Sequence, residues 1–155
     1  MMAHSELPRH PACHRSENTM PYIHVAVTRQ ADANLSKEIA TRITELTATH
    51  LGKDPTITAV SVTYVDSHHW FAGGKSLAEQ ARNTFWLDIK VVDGSNTKAE
   101  MAVYLESVYA AMADILGNIH SESYILVHEV PAAAYGYAGK TQEFRFIAKQ
   151  LGMAQ

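Results

Sequence analysis

Only one cysteine, Cys13, occurs among the 155 residues, which excludes an intrachain disulfide framework and a cysteine-based zinc site. No apolar run is long enough to span a membrane, and the first 19 residues lack the apolar stretch of a signal peptide. Neither sign of charge dominates, because 16 Asp and Glu oppose 13 Lys and Arg. A surface built for nucleic acid or for an anionic membrane is therefore not expected, and the sequence favours a soluble cytoplasmic protein.

The sequence also lacks a phosphate-binding glycine loop, a Gly-x-Ser-x-Gly elbow and a His-Glu-x-x-His helix. Histidine is plentiful, with nine residues, but the adjacent pair His68 and His69 projects in different directions from a loop. We therefore predict neither a cofactor nor a metal site, and we interpret the histidines as surface or hydrogen-bonded core residues.

Apolar residues make up 46% of the chain, enough for the core of one domain, whereas charged residues make up only 19%. The low charge indicates that a partner covers part of the surface. Residues 1–19 show no apolar periodicity and predict a disordered tail or a mis-assigned start. The domain is predicted to extend over residues 20–155, with its last segment at residues 131–155.

The first βαβ unit is predicted at about residues 20–66. Residues 21–28 alternate between apolar and polar side chains, as a half-buried strand does. A helix with an apolar stripe follows, with Asp32 or Asn34 as its cap and Gly52 as its stop. Residues 57–65 are rich in β-branched side chains and predict the second strand.

The second βαβ unit is predicted at about residues 83–130. Residues 83–92 again alternate as a strand does, and Thr97 with Glu100 forms a capping-box pattern ahead of a helix that ends at Gly117. Residues 124–130 predict the fourth strand. The two units therefore repeat one scheme.

The spacing of matching residues measures the repeat. Leu51-Gly52 recurs 65 residues later as Leu116-Gly117, and the turn dipeptide Gly74-Lys75 recurs 65 residues later as Gly139-Lys140. Ser36-Lys37 and Thr97-Lys98 are only 61 residues apart, which predicts a second helix about one turn longer than the first. Gly73 and Gly74 predict a turn between two short hairpin strands.

Two βαβ units predict an α+β fold, in which a tandem βαβ repeat forms a four-stranded sheet with both helices on one face. No helix covers the other face, and we expect Ala26, Tyr64, Trp86 and Leu126 to point there. An exposed apolar face of this kind predicts self-association.

The opening Met20-Pro21-Tyr22, the helix end Leu51-Gly52, the second unit and the segment Tyr135–Phe144 (YGYAGKTQEF) occur in an order that resembles the tautomerase superfamily. This is the group around 4-oxalocrotonate tautomerase, malonate semialdehyde decarboxylase and cis-3-chloroacrylic acid dehalogenase. The resemblance covers Pro21 to about Phe146. It implies a cofactor-independent isomerase, assembled as a homotrimer, that acts on a small-molecule substrate.

The resemblance also implies a catalytic base formed by an amino-terminal proline, here Pro21. A free proline nitrogen is a secondary amine whose pKa an apolar pocket lowers, so it can move a proton beside a carbonyl. In the sequence as given, Pro21 is an amide of Met20. The base exists only if Met20 is the true initiator and is removed.

The substrate side rests on Arg29, which is either the cation that orients the substrate acid or a solvated loop charge. Residues 92–96 hold none of the arginines that serve the dehalogenase and the decarboxylase, so tautomerisation of a 2-oxo or 2-hydroxy-enoate is favoured. The resemblance and the aromatic pattern name five further pocket residues: Trp70, Tyr135, Tyr137, Glu143 and Phe144.

Two alternatives remain open. The first is a non-catalytic scaffold or small-ligand-binding protein in which Pro21 is blocked. The second is a related hydratase, dehalogenase or decarboxylase, in which a carboxylate such as Glu143 activates water opposite Pro21.

Overall fold

The computed structural model describes residues 20–153, so the tail predicted at residues 1–19 lies outside the described residues. Its elements follow in the order β1 (Tyr22–Val27), α1 (Ala33–Leu51), β2 (Ala59–Tyr64), β3 (Phe71–Ala72), β4 (Lys75–Ser76), β5 (Phe85–Val92), α2 (Lys98–Leu116), β6 (Tyr124–Val130), β7 (Gly136–Tyr137), β8 (Lys140–Thr141) and α3 (Gln142–Gln150). Short 3-10 helices precede β3 and β7. Within this part of the chain, no helix has the length and apolarity that a membrane crossing requires.

Four strands form one mixed sheet in the order β2-β1-β5-β6. Each βαβ unit contributes a parallel pair, and the two units meet where β1 runs antiparallel to β5. Alternate residues of β1 and β5 are fully buried against α1 and α2, and they form the core. The predicted α+β fold, with both long helices on one face, is confirmed.

Local signals set the helix ends where the sequence predicts them. The Asp32 carboxylate accepts a hydrogen bond of 2.8 Å from the Asn34 backbone N–H, so Asp32 is the cap of α1. Gly52 ends α1 in the left-handed conformation, at φ 64°, which glycine adopts without a steric penalty. Thr97 and Glu100 form the predicted capping box of α2.

The two helices have the same length, 19 residues each, so the prediction of a longer second helix is wrong. Ser36 lies inside the first turn of α1, whereas Thr97 is the cap of α2, and the two positions are not equivalent. The caps Asp32 and Thr97 are equivalent, and they are 65 residues apart like the rest of the repeat. The second unit differs by its added helix, α3, which the sequence left as an undivided segment.

The sheet face opposite the helices, here called the open face, carries Ala26, Trp86 and Leu126, as predicted. Tyr64 does not lie there. It pairs with Val27, whose side chain is buried on the helix side, so Tyr64 points the same way. Its hydroxyl donates to the Asp32 carbonyl oxygen at 2.8 Å at the start of α1.

The open face is also more polar than predicted, because a nearly buried carboxylate lies at its centre. Asp88 is 8% exposed and accepts hydrogen bonds from the Trp86 indole N–H, at 3.1 Å, and from Lys90. The His24 Nδ1 atom lies 3.5 Å from the same carboxylate. These partners neutralise and solvate a charge that burial would otherwise penalise.

Candidate active site

Pro21 lies buried immediately before β1, at one end of the central strand pair. Its carbonyl oxygen accepts a hydrogen bond of 3.2 Å from the Ala59 backbone N–H, which ties it to the start of β2. Because Tyr22 pairs with Lys90 on antiparallel β5, Pro21 lies beside the last residues of β5. The carboxyl ends of β5 and β6 therefore lie at the same end of the sheet as the proline.

Tyr135 returns to this end of the sheet after β6. The chain turns through Pro131 and a single 3-10 turn, and the Tyr135 hydroxyl then donates a hydrogen bond of 2.5 Å to the Met20 carbonyl oxygen. That carbonyl group is bonded to the Pro21 nitrogen. Burial raises the pKa of the half-buried Tyr135 hydroxyl, and a hydrogen bond with the Tyr22 backbone acts in the opposite direction.

The start of α3 fixes the segment that carries Tyr135 and Tyr137. The Gln142 backbone N–H donates to the Tyr135 carbonyl oxygen at 2.8 Å. The Arg145 guanidinium donates to the Tyr137 carbonyl oxygen at 3.1 Å and lies 3.8 Å from the centroid of the Tyr137 ring. The β7–β8 hairpin and α3 thus form one packed unit beside Pro21.

Glu143 and Phe144 belong to the same unit but lie at its surface. Both are in the first turn of α3, and Phe144 remains 43% exposed. The Lys140 ammonium lies 5.2 Å from the centroid of the Phe144 ring. Within one chain these two side chains are available to solvent or to a neighbouring copy.

Arg29 and Trp70 lie at the other end of the sheet. Both follow the carboxyl ends of the parallel strands β1 and β2, whereas Pro21 precedes β1. The six residues of β1 separate the two ends by about 20 Å, at about 3.3 Å per residue. The structure therefore does not bring Arg29 or Trp70 to Pro21 of the same chain.

Arg29 has a structural contact where it lies. Its guanidinium donates to the Leu116 carbonyl oxygen at 2.9 Å, which satisfies one of the open carbonyls at the end of α2. It also lines an open cleft of about 560 Å³ that includes Asp66 and His68, whose side chains are 2.7 Å apart. Among the described residues, no three His, Cys, Asp or Glu side chains come together as metal ligands would.

Lys53 is a site candidate that the sequence reasoning missed. It follows Gly52 at the end of α1 and is only 4% exposed, with its ammonium donating to the Ser95 hydroxyl at 2.8 Å. Burial lowers the pKa of Lys53 to about 8, against an opposing effect of the Glu100 carboxylate. A buried lysine whose pKa is lowered in this way is a candidate for a functional group. The signal was a lysine directly after a helix stop, but its burial was not readable from the sequence.

Lys53 lies at the same end of the sheet as Pro21. The chain runs from Lys53 through a short loop to Ala59, whose N–H binds the Pro21 carbonyl oxygen. Ser95, the partner of Lys53, follows β5 and binds back to the Val92 carbonyl oxygen through its own N–H, at 3.1 Å. This end therefore holds a proline, a phenol and a desolvated ammonium group.

Comparisons with known proteins find similar sequences at the start of the described chain. A family model described as "Tautomerase enzyme" matches residues 21–80, beginning at the proline. A curated relative, the probable tautomerase K2 of Dickeya dadantii (strain 3937), is 31% identical over 62 residues, which are 39% of this chain and 92% of that protein.

Two solved structures share the fold. The structure of a fused 4-OT called Q0, a symmetric trimer, matches with a TM-score of 0.70 at 10% identity, over 80% of this chain and 98% of that one. The structure of Pt0534 inactivated by 2-oxo-3-pentynoate matches with a TM-score of 0.69 at 15% identity, over 79% of this chain and 96% of that one. Together with the sequence relative, they show that this chain belongs to the tautomerase superfamily.

Proposed function

We propose that the protein is a cofactor-independent keto–enol tautomerase that acts on a small 2-oxo or 2-hydroxy-enoate substrate, with Pro21 as its base. The observation that carries the proposal is the position of Pro21. It is buried at the head of β1, beside the Tyr135 phenol and at the same end of the sheet as the desolvated Lys53. The family membership of the chain supports an isomerase of this type.

The proposed reaction requires that Met20 be removed, because an amide nitrogen has no basic lone pair. The nitrogen of a free Pro21 then takes the proton from the carbon beside the substrate carbonyl. The electron pair of that C–H bond forms the carbon–carbon double bond of an enolate, and the carbonyl electrons move to oxygen. The protonated Pro21 returns its proton to that oxygen or, in a conjugated substrate, to a further carbon.

Lys53 is our candidate for the group that binds the substrate carboxylate. Its ammonium group is partly desolvated, so a charge–charge contact there is stronger than one in water. Arg29, the cation expected from the sequence, would serve the same purpose only at the Pro21 of a neighbouring copy. The two cations make different predictions, because Lys53 would act within one chain and Arg29 would act between chains.

We further propose that the protein works as a homotrimer, as the name of the Q0 structure states for that protein. The open face supports association, because Leu126 and Trp86 lie on a sheet face that no helix of the described chain covers. Leu126→Glu is expected to give monomers in analytical ultracentrifugation. Val103→Glu, on the outer surface of α2 where Val103 is 48% exposed, is the matched control and should leave the trimer intact.

The test of the activity uses a protein whose first residue is Pro21. We expect it to accelerate the ketonisation of enolpyruvate, and Pro21→Ala to lose this acceleration. Treatment with 2-oxo-3-pentynoate, the compound that inactivated Pt0534, should add one label to the Pro21 peptide in mass spectrometry. A trimeric protein with a confirmed Pro21 terminus that neither turns over 2-hydroxy-enoates nor takes the label would refute the proposal.

A second candidate function follows from the contact between Tyr135 and Met20. The hydroxyl binds the Met20 carbonyl oxygen, so the fold has a place for a chain that continues before Pro21. Such a protein would bind small ligands without a basic amine. The intact mass of the protein expressed from its own upstream sequence separates the two, because only a mass that begins at Pro21 provides the base.

A further inference from the structure

The Tyr135 hydroxyl is the polar side-chain group that the structure brings against the reactive end of the chain. It contacts the carbonyl oxygen that precedes the Pro21 nitrogen, at 2.5 Å, and it also interacts with the Tyr22 backbone that follows Pro21. The phenol therefore lies against a carbonyl group that is bonded directly to the Pro21 nitrogen. A residue that only packs against the substrate would need the aromatic ring alone, so packing does not explain the hydroxyl.

We propose that the Tyr135 hydroxyl donates a hydrogen bond to the substrate oxygen on which negative charge develops during tautomerisation. This inference rests on the proposed function, because it needs a free Pro21. It goes further by naming the group that stabilises the enolate and by placing that group in the same chain as the base.

Removal of Met20 creates the site for that oxygen. The Met20 carbonyl oxygen accepts the Tyr135 hydrogen bond in the longer chain, and the hydroxyl loses this acceptor when the chain begins at Pro21. A substrate carbonyl oxygen beside the free amine can take its place. A donor that is already oriented toward the position where charge develops needs no reorganisation during the reaction.

The step is balanced without a further reactant. The Pro21 nitrogen gains the proton from carbon, the broken C–H bond supplies the new carbon–carbon double bond, and the carbonyl electron pair moves to oxygen. Tyr135 keeps its proton throughout and shares it with that oxygen. Partial burial of the ring favours this, because it raises the pKa of the phenol and keeps the hydroxyl neutral over the working pH range.

The structure also holds the hydroxyl in position. The Tyr135 carbonyl oxygen accepts from the Gln142 N–H, so the backbone of Tyr135 is attached to the first turn of α3. The Thr141 hydroxyl caps that turn by accepting a hydrogen bond of 3.0 Å from the Phe144 backbone N–H. A donor on a fixed backbone is effective in catalysis because small displacements are costly.

The experiment compares Tyr135→Phe with Tyr109→Phe in protein that begins at Pro21. Tyr109 is a half-buried tyrosine of α2 that packs against Phe85, away from the proline, and it serves as the matched control. For Tyr135→Phe we expect kcat to fall about 100-fold with KM changed less than about threefold, as for the loss of one oxyanion donor. Tyr109→Phe should keep the wild-type kcat.

Labelling by 2-oxo-3-pentynoate distinguishes this role from a structural one. If Tyr135 acts on the substrate oxygen, Tyr135→Phe still reaches complete labelling at Pro21 and keeps its thermal unfolding temperature. A kcat within about threefold of wild type overturns the proposal, and so does a Tyr135→Phe protein that can no longer be labelled, because the residue would then only hold Pro21. If the wild-type protein itself is neither active nor labelled, the proposed function has failed, and the role of Tyr135 fails with it.

Discussion

Trp70 and Tyr135 occupy the same position in the two repeats, 65 residues apart, yet they lie at opposite ends of the sheet. The cause is the antiparallel pairing of β1 with β5, which turns the second unit end for end relative to the first. One end therefore combines Pro21 with Tyr135, and the other combines Arg29 with Trp70. A chain that repeats its sequence thus builds two unlike ends.

Among the described residues, only the first of these ends has a proline at the head of a sheet strand. The residue 65 positions after Pro21 is Trp86, which lies inside β5 and directs its indole N–H to Asp88 on the open face. The second repeat has therefore replaced a possible base with a residue of the uncovered sheet face. The proposed function therefore implies one proline-based site in each chain.

The β7–β8 hairpin should be sensitive at Gly136. A Cβ atom at this position would lie 2.1 Å from the Lys140 backbone oxygen, so Gly136→Ala must open the hairpin that follows Tyr135. We expect a loss of tautomerase activity of about tenfold or more, because misplacement of a catalytic group by about 1 Å costs that much. Helix content by circular dichroism should stay unchanged. The control is Ala72→Ser in the equivalent β3–β4 hairpin, which should be active.

A mixing experiment tests whether Arg29 acts on a neighbouring copy. The Pro21→Ala and Arg29→Met proteins are mixed, unfolded in the mixture and refolded together. If Arg29 serves the Pro21 of another chain, mixed trimers should recover up to about a quarter of the wild-type activity. In an equal mixture, about one site in four combines a wild-type Pro21 with a wild-type Arg29.

If Arg29→Met alone keeps most of the wild-type activity, Arg29 does not act on the Pro21 of another chain. Its bond to the Leu116 carbonyl oxygen then accounts for the residue. In that case Arg29→Met should lower the free energy of unfolding by about 1 kcal/mol, as measured in urea, with its kcat largely retained.

The fold was predictable because its signals are local. The caps Asp32 and Thr97, the stop at Gly52 and the strand alternation each act over a few residues, and all agree with one topology. The prediction of a longer second helix was wrong because Ser36 lies inside α1 whereas Thr97 is the cap of α2, so their spacing does not measure helix length. The position of Tyr64 was wrong because its face depends on the register with β1, and an alternating pattern does not fix the register.

The site was less predictable, since it depends on which sheet end each residue reaches. Arg29 is eight positions from Pro21 in the sequence but about 20 Å away in the fold. Tyr135 is far along the chain, yet its hydroxyl contacts Met20, the residue before Pro21. Lys53 shows the same limit, because its burial depends on the loop after β5. Such contacts arise from packing between the two units.

Alkaline pH should destabilise the fold through Tyr104. Its hydroxyl is buried at 3.0 Å from the Thr47 hydroxyl, and burial raises its pKa to about 12. The unfolded chain loses this proton near pH 10, so the stability is complete below pH 10 and falls as the pH rises toward 12. The total loss is about 3 kcal/mol. Tyr104→Phe should flatten this part of the urea-derived stability curve, and an unchanged slope would contradict the assignment.

Lys53 gives the sharpest pH dependence of the proposed activity. The pKa of about 8 means that the ammonium charge is lost on the alkaline side of neutrality. If this charge binds the substrate carboxylate, kcat/KM should fall above about pH 8, mainly through a rise in KM. Lys53→Arg should keep its charge and remove this decline, because a guanidinium stays protonated there, and Lys53→Met should have a high KM at every pH.

The stability of the same variants provides an independent check with the opposite sign. Because burial lowers the pKa of Lys53 from 10.5, the charged form destabilises the folded state, and wild-type stability should rise between about pH 8 and pH 10.5. Lys53→Met should therefore be more stable than wild type at neutral pH, by about 3 kcal/mol at most, and the difference should shrink as the pH rises. A kinetic decline near pH 8 that persists in Lys53→Met would assign the titrating group elsewhere, even if the stability difference is as expected.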